Sequence, residues 1–486
     1  MANTLQLLGK VRRAAAAVGE ATSRSRVKSL LDAADIALNT LQLQESRGFY
    51  LEHIASGRAL VTEGSRLLSG ASARDSALPV DPQGNLGVTG LDAELGALRQ
   101  ALATIVAQLD EGRSAAAKDF LVRMSDWETR YYTHHLEQVP VAPMVAPAVT
   151  QERLQAYLER RLPGWTDVKV TDFTPLDGGF SKNTILFATH DRVNGPQELV
   201  LRAEQPFDLL CYEGSDVTRE FFMIQLMRNS GLPTAEPLWL EADARPLGCR
   251  FIVSRKAQGR VYGGALGSDE KLPAAAVQSV MSAFVQMHNI RIAPGDALAR
   301  KSHLEEWLPH AGSLRATTEF YVNEWLPRLI RRTGIPASPQ VERALKWLRQ
   351  HVPDSNETPV ILHGDFSFNN LIIGDAGVTA VLDWESSRLG DPAEDIIWTQ
   401  PNLGAYLTMP EFLQAYRNGT GRAMSERRLA YSRVVKCVLN AVACLSAHHG
   451  LETRSDTNIT LATLAYKYMG LFGAQFNSLI ESAERV

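Results

Sequence analysis

The chain is poor in the residues that define several protein classes. Only four cysteines occur in 486 residues, at Cys211, Cys249, Cys437 and Cys444. None belongs to a Cys-x-x-Cys pair, and Cys437 and Cys444 stand two helical turns apart, a spacing that suits core packing. Neither a disulfide framework nor a zinc site is implied. An excess of one charge is missing too: 50 Lys and Arg against 54 Asp and Glu leave a net −4, too weak a field to draw nucleic acid or an anionic membrane. No apolar run approaches the roughly 20 residues of a membrane span. The first residues lack a signal peptide's long apolar core. Lys10, Arg12 and Arg13 beside an alanine run resemble an organellar presequence, but Glu20 and the pattern after it read as an ordinary amphipathic helix. A cytosolic protein is expected.

What is present is a soluble globular composition, 45% hydrophobic and 21% charged, in a chain long enough for two or three domains. Residues 1–138 carry helical periodicity, as in Val27, Leu30, Leu31, Ala34 and Leu38, and again in Leu91, Leu95, Leu98, Leu102 and Val106. Pro79, Pro82 and several glycines make 71–90 a loop between helices. An all-α bundle of four or five helices is expected there. His134 and His135 are adjacent, so on a helix they face different ways and make a poor metal site. Residues 139–149, with three prolines and no charge, read as a linker. From 150 to 260 a helix at 151–162 precedes the β-rich runs VKVTDFTPL, NTILFATH, ELVLRAE and CRFIVSR, with a helix around Arg219–Ser230 ended by Gly231 and Pro233. From 261 to 486 helices dominate, interrupted by two compact strands, NLIIGD and VTAVLDW. The expected fold class is α+β: a protein-kinase-like, two-lobed fold preceded by the bundle.

The chemistry concentrates in VILHGDFSFNNLIIGDAGVTAVLDWESSRLGDPAEDIIW, residues 360–398. His363-Gly364-Asp365 is followed by Asn370, then a strand, a turn and Asp383. Protein kinases place a catalytic loop and a metal-binding aspartate across a hairpin in this order. Asp365 suits the acceptor of a substrate hydroxyl's proton. Asn370 and Asp383 supply the oxygen ligands that Mg²⁺ prefers. Singly, an HGD or an LDW is a common turn or strand end, but their ordered occurrence points to phosphoryl transfer. His363 reads as a brace for the loop more than as a chemical group. Asp391 reads as a helix N-cap before Pro392, and Asp395 as a brace from that helix.

On the nucleotide side, Gly178, Gly179 and Ser181 lie in a turn between two strands, where backbone N–H groups can approach phosphates. Arg202 stands on the next strand, where kinases have lysine, and Glu220 on the following helix is its expected partner. The exchange keeps the charge but is not neutral. Residues 251–259 would form the last small-lobe strand and the hinge.

The segments PLDGGFSKNTILF, LVLRAE, HGDFSFNNLII and AVLDWESSRLGDPAEDIIW resemble the aminoglycoside phosphotransferase (choline kinase-like) superfamily over about residues 150–480. The nearest flavour is the phosphotransferase domain associated with acyl-CoA dehydrogenases, in which arginine likewise stands at the position of Arg202. The resemblance implies a kinase-like fold, ATP and Mg²⁺, and phosphorylation of a hydroxyl on a small molecule. It carries the base onto Asp365, the metal ligands onto Asn370 and Asp383, and the phosphate clamp onto Arg202 and Glu220. Residues 1–138 lie outside it; a fused helical module that docks a protein partner is one reading.

For the acceptor, the large lobe outside 354–395 holds more Lys and Arg than Asp and Glu, with Arg331-Arg332, Arg427-Arg428, Arg433 and Lys436 prominent. That disfavours a polycationic aminoglycoside and favours a neutral or anionic hydroxyl compound, an acyl-CoA among them, unless the cations are solvated faces. Trp307, Phe320, Tyr321, Trp325, Trp398 and Tyr406 are candidates for an apolar pocket, or for ordinary core. The alternative to a kinase is a catalytically silent pseudokinase, or a nucleotide-binding module acting with a partner enzyme.

Overall fold

The computed structural model describes residues 49–68, 88–109, 114–135, 149–161, 167–176, 182–192, 195–204, 216–262, 272–335, 337–452 and 459–486. Contacts divide the chain into two compact units. One holds the described residues up to Tyr131 together with 337–343, and the other holds the remainder.

The first unit is helical: α1 (49–68), α2 (Val88–Gln108) and α3 (Ala115–His135). The stripe Leu91, Leu95, Leu98, Leu102 and Val106 is buried along its length, as the three- and four-residue spacing requires. Trp127 of α3 stacks on His53 of α1 and donates its indole N–H to the His53 carbonyl (2.9 Å). The short segment 337–343 is tied in where the Gln340 N–H donates to Glu128 Oε2 (2.9 Å). Helix α2 begins at Val88, inside the stretch expected as a loop. The expected helix through Val27–Leu38 and residues 139–148 of the expected linker lie outside the described residues.

In the second unit, α4 (Gln151–Arg161) leads into β1 (Lys169–Pro175), β2 (Lys182–Asp191) and β3 (Gly195–Glu204). Then come α5 (Val217–Asn229), β4 (Pro237–Glu241) and β5 (Phe251–Arg255). The five strands form one sheet in the order β1-β2-β3-β5-β4, every pair antiparallel. Strand β4, PLWLE, was not expected; its proline and glutamate mask the period-two signal, and it sits at a sheet edge, where proline is tolerated. Alternation on β3 places the site: Leu199, Leu201 and Ala203 are buried in a core with Leu154 and Leu158 of α4. Arg202 therefore falls on the opposite face.

The helical lobe continues with α6 (Ala274–Asn289), then α7 (Leu314–Phe320), which runs through a π turn into α8 (Leu326–Thr333), and α9 (Pro339–Gln350). Strand β6 (Val360–Leu362), the hairpin β7 (Leu371–Gly374) and β8 (Gly377–Val381), and strand β9 (Arg388–Gly390) follow. β6 pairs with β9, so the chain leaves and re-enters the hairpin through one two-stranded base. The segment after β5 is hydrogen-bonded to the hairpin by Arg260 and Ile373, which exchange N–H···O bonds of 3.0 and 2.9 Å. Helices α10 (Pro392–Leu403), α11 (Met409–Thr420), α12 (Glu426–Glu452) and α13 (Ile459–Glu484) close the chain. Among the described residues one stretch, Glu426–Ala447, is long and apolar enough to cross a membrane, but 78% of its most apolar window is buried in the protein, as in a core helix. The architecture is the expected α+β one, a sheet lobe and a helical lobe in the kinase-like order, with helices before them.

Candidate active site

The loop expected to be catalytic leaves β6 at His363. Gly364 follows with φ +82°, and a Cβ there would lie 2.6 Å from the Ser386 carbonyl oxygen, so only glycine fits both the backbone and the space. Asp365 comes next, with both carboxylate oxygens held. Trp398 of α10 donates its indole N–H to Oδ1 (2.6 Å), and Asn370 donates its amide to Oδ2 (3.0 Å) and to the Asp365 carbonyl (2.9 Å). Because the Asn370 NH₂ is spent on these acceptors, its Oδ1 is the end left for a cation. Burial pushes the Asp365 carboxyl above its ordinary value, against the pull of Lys436, the Trp398 bond and His363.

His363 is fully buried. Its Nε2–H donates to the Leu382 carbonyl (2.8 Å) and Nδ1 accepts the Asp365 N–H (3.2 Å). Both ring nitrogens are committed to backbone partners, which is the geometry of a brace. Asp395 grips the same turn from α10, its two oxygens accepting the N–H groups of His363 (2.7 Å) and Gly364 (2.9 Å). His288 Nε2 lies 3.3 Å from that carboxylate. Burial opposes its ionisation, but the His288 bond and the two histidines hold the Asp395 carboxyl below the usual range. Asp391 caps α10 through the Ala393 N–H (2.8 Å), with Pro392 at the first turn, as its position suggests.

Asp383 follows β8 in a left-handed conformation, φ 64° and ψ 65°, rare for a non-glycine residue. Leu382 beside it is bonded to the catalytic loop twice, through the His363 ring and by donating its N–H to the Asn370 carbonyl (2.8 Å). The hairpin thus fixes Asp383 relative to Asp365. Arg202 Nη2 lies 2.7 Å from Asp383 Oδ1 and 3.4 Å from Glu220 Oε1. Burial disfavours the Asp383 anion, yet the Arg202 guanidinium, with Lys182 and His363 adding, keeps the carboxyl below its ordinary value. Arg202 Nε is buried without a hydrogen-bond partner. Among the described residues no group of three or more His, Cys, Asp or Glu could hold a metal. The oxygen pair Asn370 and Asp383 nevertheless fits Mg²⁺, which takes one or two protein ligands and completes its shell with phosphate and water.

Several residues enter the site that sequence reasoning did not assign. Lys182, at the start of β2, is buried and pairs with Glu385 (3.1 Å), two residues beyond Asp383. That proximity to the aspartate was the one available signal. Lys436 of α12 donates to the Gly364 carbonyl and lies 4.6 Å from the ring of Trp398. Burial lowers the affinity of Lys436 for its proton, opposed by Asp365, Asp395 and Glu394. Other expectations resolve differently. Arg428 is a bidentate structural partner of Asp391 (2.8 and 2.9 Å) and pairs with Glu357, so it is committed to the fold. Trp307, Phe320, Tyr321 and Trp325 are buried and contact one another, and Trp307 and Trp325 also line a small pocket with Glu385 and Arg388. Gly178, Gly179 and Ser181 lie outside the described residues.

Comparison with known proteins places the chain among its relatives. Acyl-CoA dehydrogenase family member 11 of Mus musculus is 29% identical over 275 residues, covering 55% of this chain and 32% of that protein. Family member 10 of the same species is 27% identical over 254 residues, covering 52% and 22%. The chain spans a third or less of these relatives' length. Among solved structures, macrolide 2'-phosphotransferase type I is 17% identical, covering 67% of this chain and 99% of its own, with a TM-score of 0.45. A family model described as the phosphotransferase enzyme family (APH) matches residues 172–430, which include Arg202, Glu220, Asp365, Asn370 and Asp383. With more than half of its length inside that match, the chain belongs to the phosphotransferase enzyme family.

Proposed function

We propose that the protein is an ATP- and Mg²⁺-dependent kinase that phosphorylates a hydroxyl group of a small molecule by direct in-line transfer, with Asp365 as the base. The observation that carries this reading is the joined arrangement of Asp365 with Asn370 and of Asp383 with Arg202, bound together through His363 and Leu382. Asp365 orients the acceptor hydroxyl and takes up its proton, a task its raised carboxyl pKa suits. Asn370 Oδ1 and Asp383 would hold Mg²⁺, which neutralises charge on the phosphates when bound. Arg202, steadied by Glu220, offers its remaining donors to phosphate oxygens. His363 acts on the loop and not on the substrate. Gly178, Gly179 and Ser181 are proposed to cover the phosphates.

The acceptor is proposed to be neutral or anionic. The acyl-CoA dehydrogenase relatives add hydroxyacyl thioesters to the compounds to be tried. The test is a phosphate-transfer screen with ATP and Mg²⁺ over hydroxyacyl-CoAs, sugars, amino alcohols, phenols and antibiotics, using wild type and Asp365→Ala. A product made by wild type and lost in the variant supports the proposal. ATP binding with no product across the panel favours the silent pseudokinase or a module that works only with a partner enzyme.

A further inference from the structure

We propose that Trp398 and Lys436 are positioning residues for phosphoryl transfer: the indole aims the Asp365 carboxylate, and the ammonium fixes the loop that carries it. The inference rests on the reading of Asp365 as the base.

A carboxylate on a short side chain turns freely unless both oxygens are held. Here Trp398 bonds Oδ1 at 2.6 Å and Asn370 bonds Oδ2 at 3.0 Å, so rotation is blocked from two sides. Each oxygen has two lone pairs, and one on each is left to meet a hydroxyl. The choice of donor matters. An indole N–H only donates, so Trp398 can orient the base without competing for the proton that the base must receive. A histidine or a water in its place would compete.

Lys436 secures the same arrangement from a different helix. Its ammonium donates to the carbonyl of Gly364, the residue before Asp365, and lies 4.6 Å from the centre of the Trp398 ring. One buried cation therefore holds the backbone next to the base and the ring that bonds it. The loop itself holds no Lys or Arg: residues 363–370 read HGDFSFNN. Asp395, one turn before Trp398 on α10, binds the two N–H groups ahead of Asp365, so base and orienting donor share one rigid support.

The test uses the full chain with ATP and Mg²⁺ and follows ADP release with water as acceptor, which needs no identified substrate. Trp398→Phe keeps the ring under Lys436 and deletes the N–H; Lys436→Met deletes the cation and Lys436→Arg restores it. Both deletions are expected to lower the turnover rate about tenfold to a hundredfold, as loss of a bond to a charged group does. KM for ATP should stay within about twofold, and Lys436→Arg should recover part of the loss. In an Asp365→Asn background, Trp398→Phe should add nothing. The proposal is overturned if the Trp398→Phe loss persists undiminished in that background, if both deletions leave the rate unchanged, or if a weaker KM for ATP carries the whole effect. An undiminished rate in Asp365→Asn alone overturns the base reading and this proposal with it. A nucleotide-induced thermal shift retained by each variant separates lost positioning from lost folding; if Lys436→Met fails that control, the Trp398→Phe arm decides.

Discussion

Replacing Gly364 by alanine isolates what the close approach of two site loops is worth. Two costs arise. The first is conformational: φ +82° is left-handed, and an L side chain there costs about 1–2 kcal/mol. The second is steric: the new Cβ would stand 2.6 Å from the Ser386 carbonyl oxygen and 2.7 Å from its Cβ, neither of which is the end of a flexible side chain. Forcing such a contact apart adds about 1–3 kcal/mol. Gly421, which caps α11 at φ 73° with nothing within 4 Å of its Cβ position, carries only the first cost and serves as the control. Gly364→Ala should therefore be destabilised by about 2–5 kcal/mol and Gly421→Ala by about 1–2. Relief of the clash also has a direction. Either the turn bearing Asp383 or the loop bearing Asp365 must move, and a displacement near 1 Å costs about a hundredfold in rate. Melts of the full chain and the rate of ADP release measure the two effects. Equal midpoints for the two variants, with Gly364→Ala turning over like wild type, would refute the argument.

Two further outcomes follow from buried charge. Lys182→Met leaves Glu385 without its ammonium partner in a buried setting and should cost about 3 kcal/mol or more, while Lys182→Met with Glu385→Gln should recover much of it; equal melting points for the single and double variants would contradict this. His303 is buried and held neutral, its pKa lowered to about 3 by burial and by Arg219 and Lys182. Since the unfolded chain protonates it near 6.5 and the folded one only near 3, the unfolded state binds the extra proton between these values. Stability should accordingly fall as pH drops below about 6.5, by about 1.4 kcal/mol per unit from this group, and level off near 3; His303→Gln should flatten the slope in urea titrations at pH 5 and 7.

Much of this was legible because the decisive signals are local. The catalytic loop, hairpin and Asp383 lie within 21 residues, and their order needs no tertiary information. Arg202 and Glu220 were singled out from the order of strand and helix, at the place where kinases have lysine and its partner, and the structure brings them within 3.4 Å. Trp398 was noticed only as an aromatic residue, and Lys436 only as part of a cationic run. Their bonds to the loop span 33 and 72 residues, and no periodicity reports such a contact. Arg428 shows the converse: a cation that composition offers to a substrate is taken by Asp391, 37 residues away, because a buried N-cap carboxylate needs a partner. Edge strand β4 escaped notice because its burial is partial and its apolar run short.

The arginine at 202 is the place where the sequence departs from the kinase pattern, and the geometry says why the departure is workable. A lysine brings its donors on one atom. If that atom bonded the carboxylates of Glu220 and Asp383, little would remain for phosphate. Arginine distributes five N–H donors over three nitrogens. Here Nη2 faces both carboxylates, at 2.7 and 3.4 Å, while Nε is buried with no hydrogen-bond partner. The guanidinium can thus stay anchored to the helix and to Asp383 through Nη2, leaving the donors of Nη1 as those proposed for phosphate oxygens. Lys182 supplies a second cation to the same cleft through its effect on Asp383 and its pair with Glu385. Among these five groups two cations face the carboxylates of Glu220, Asp383 and Glu385, an excess of one negative charge that Asp365 and Lys436, taken together, leave unchanged. Nucleotide phosphates would meet that charge as repulsion unless a divalent cation came with them, so the same residues that keep arginine in place make the site one that should bind ATP poorly without Mg²⁺.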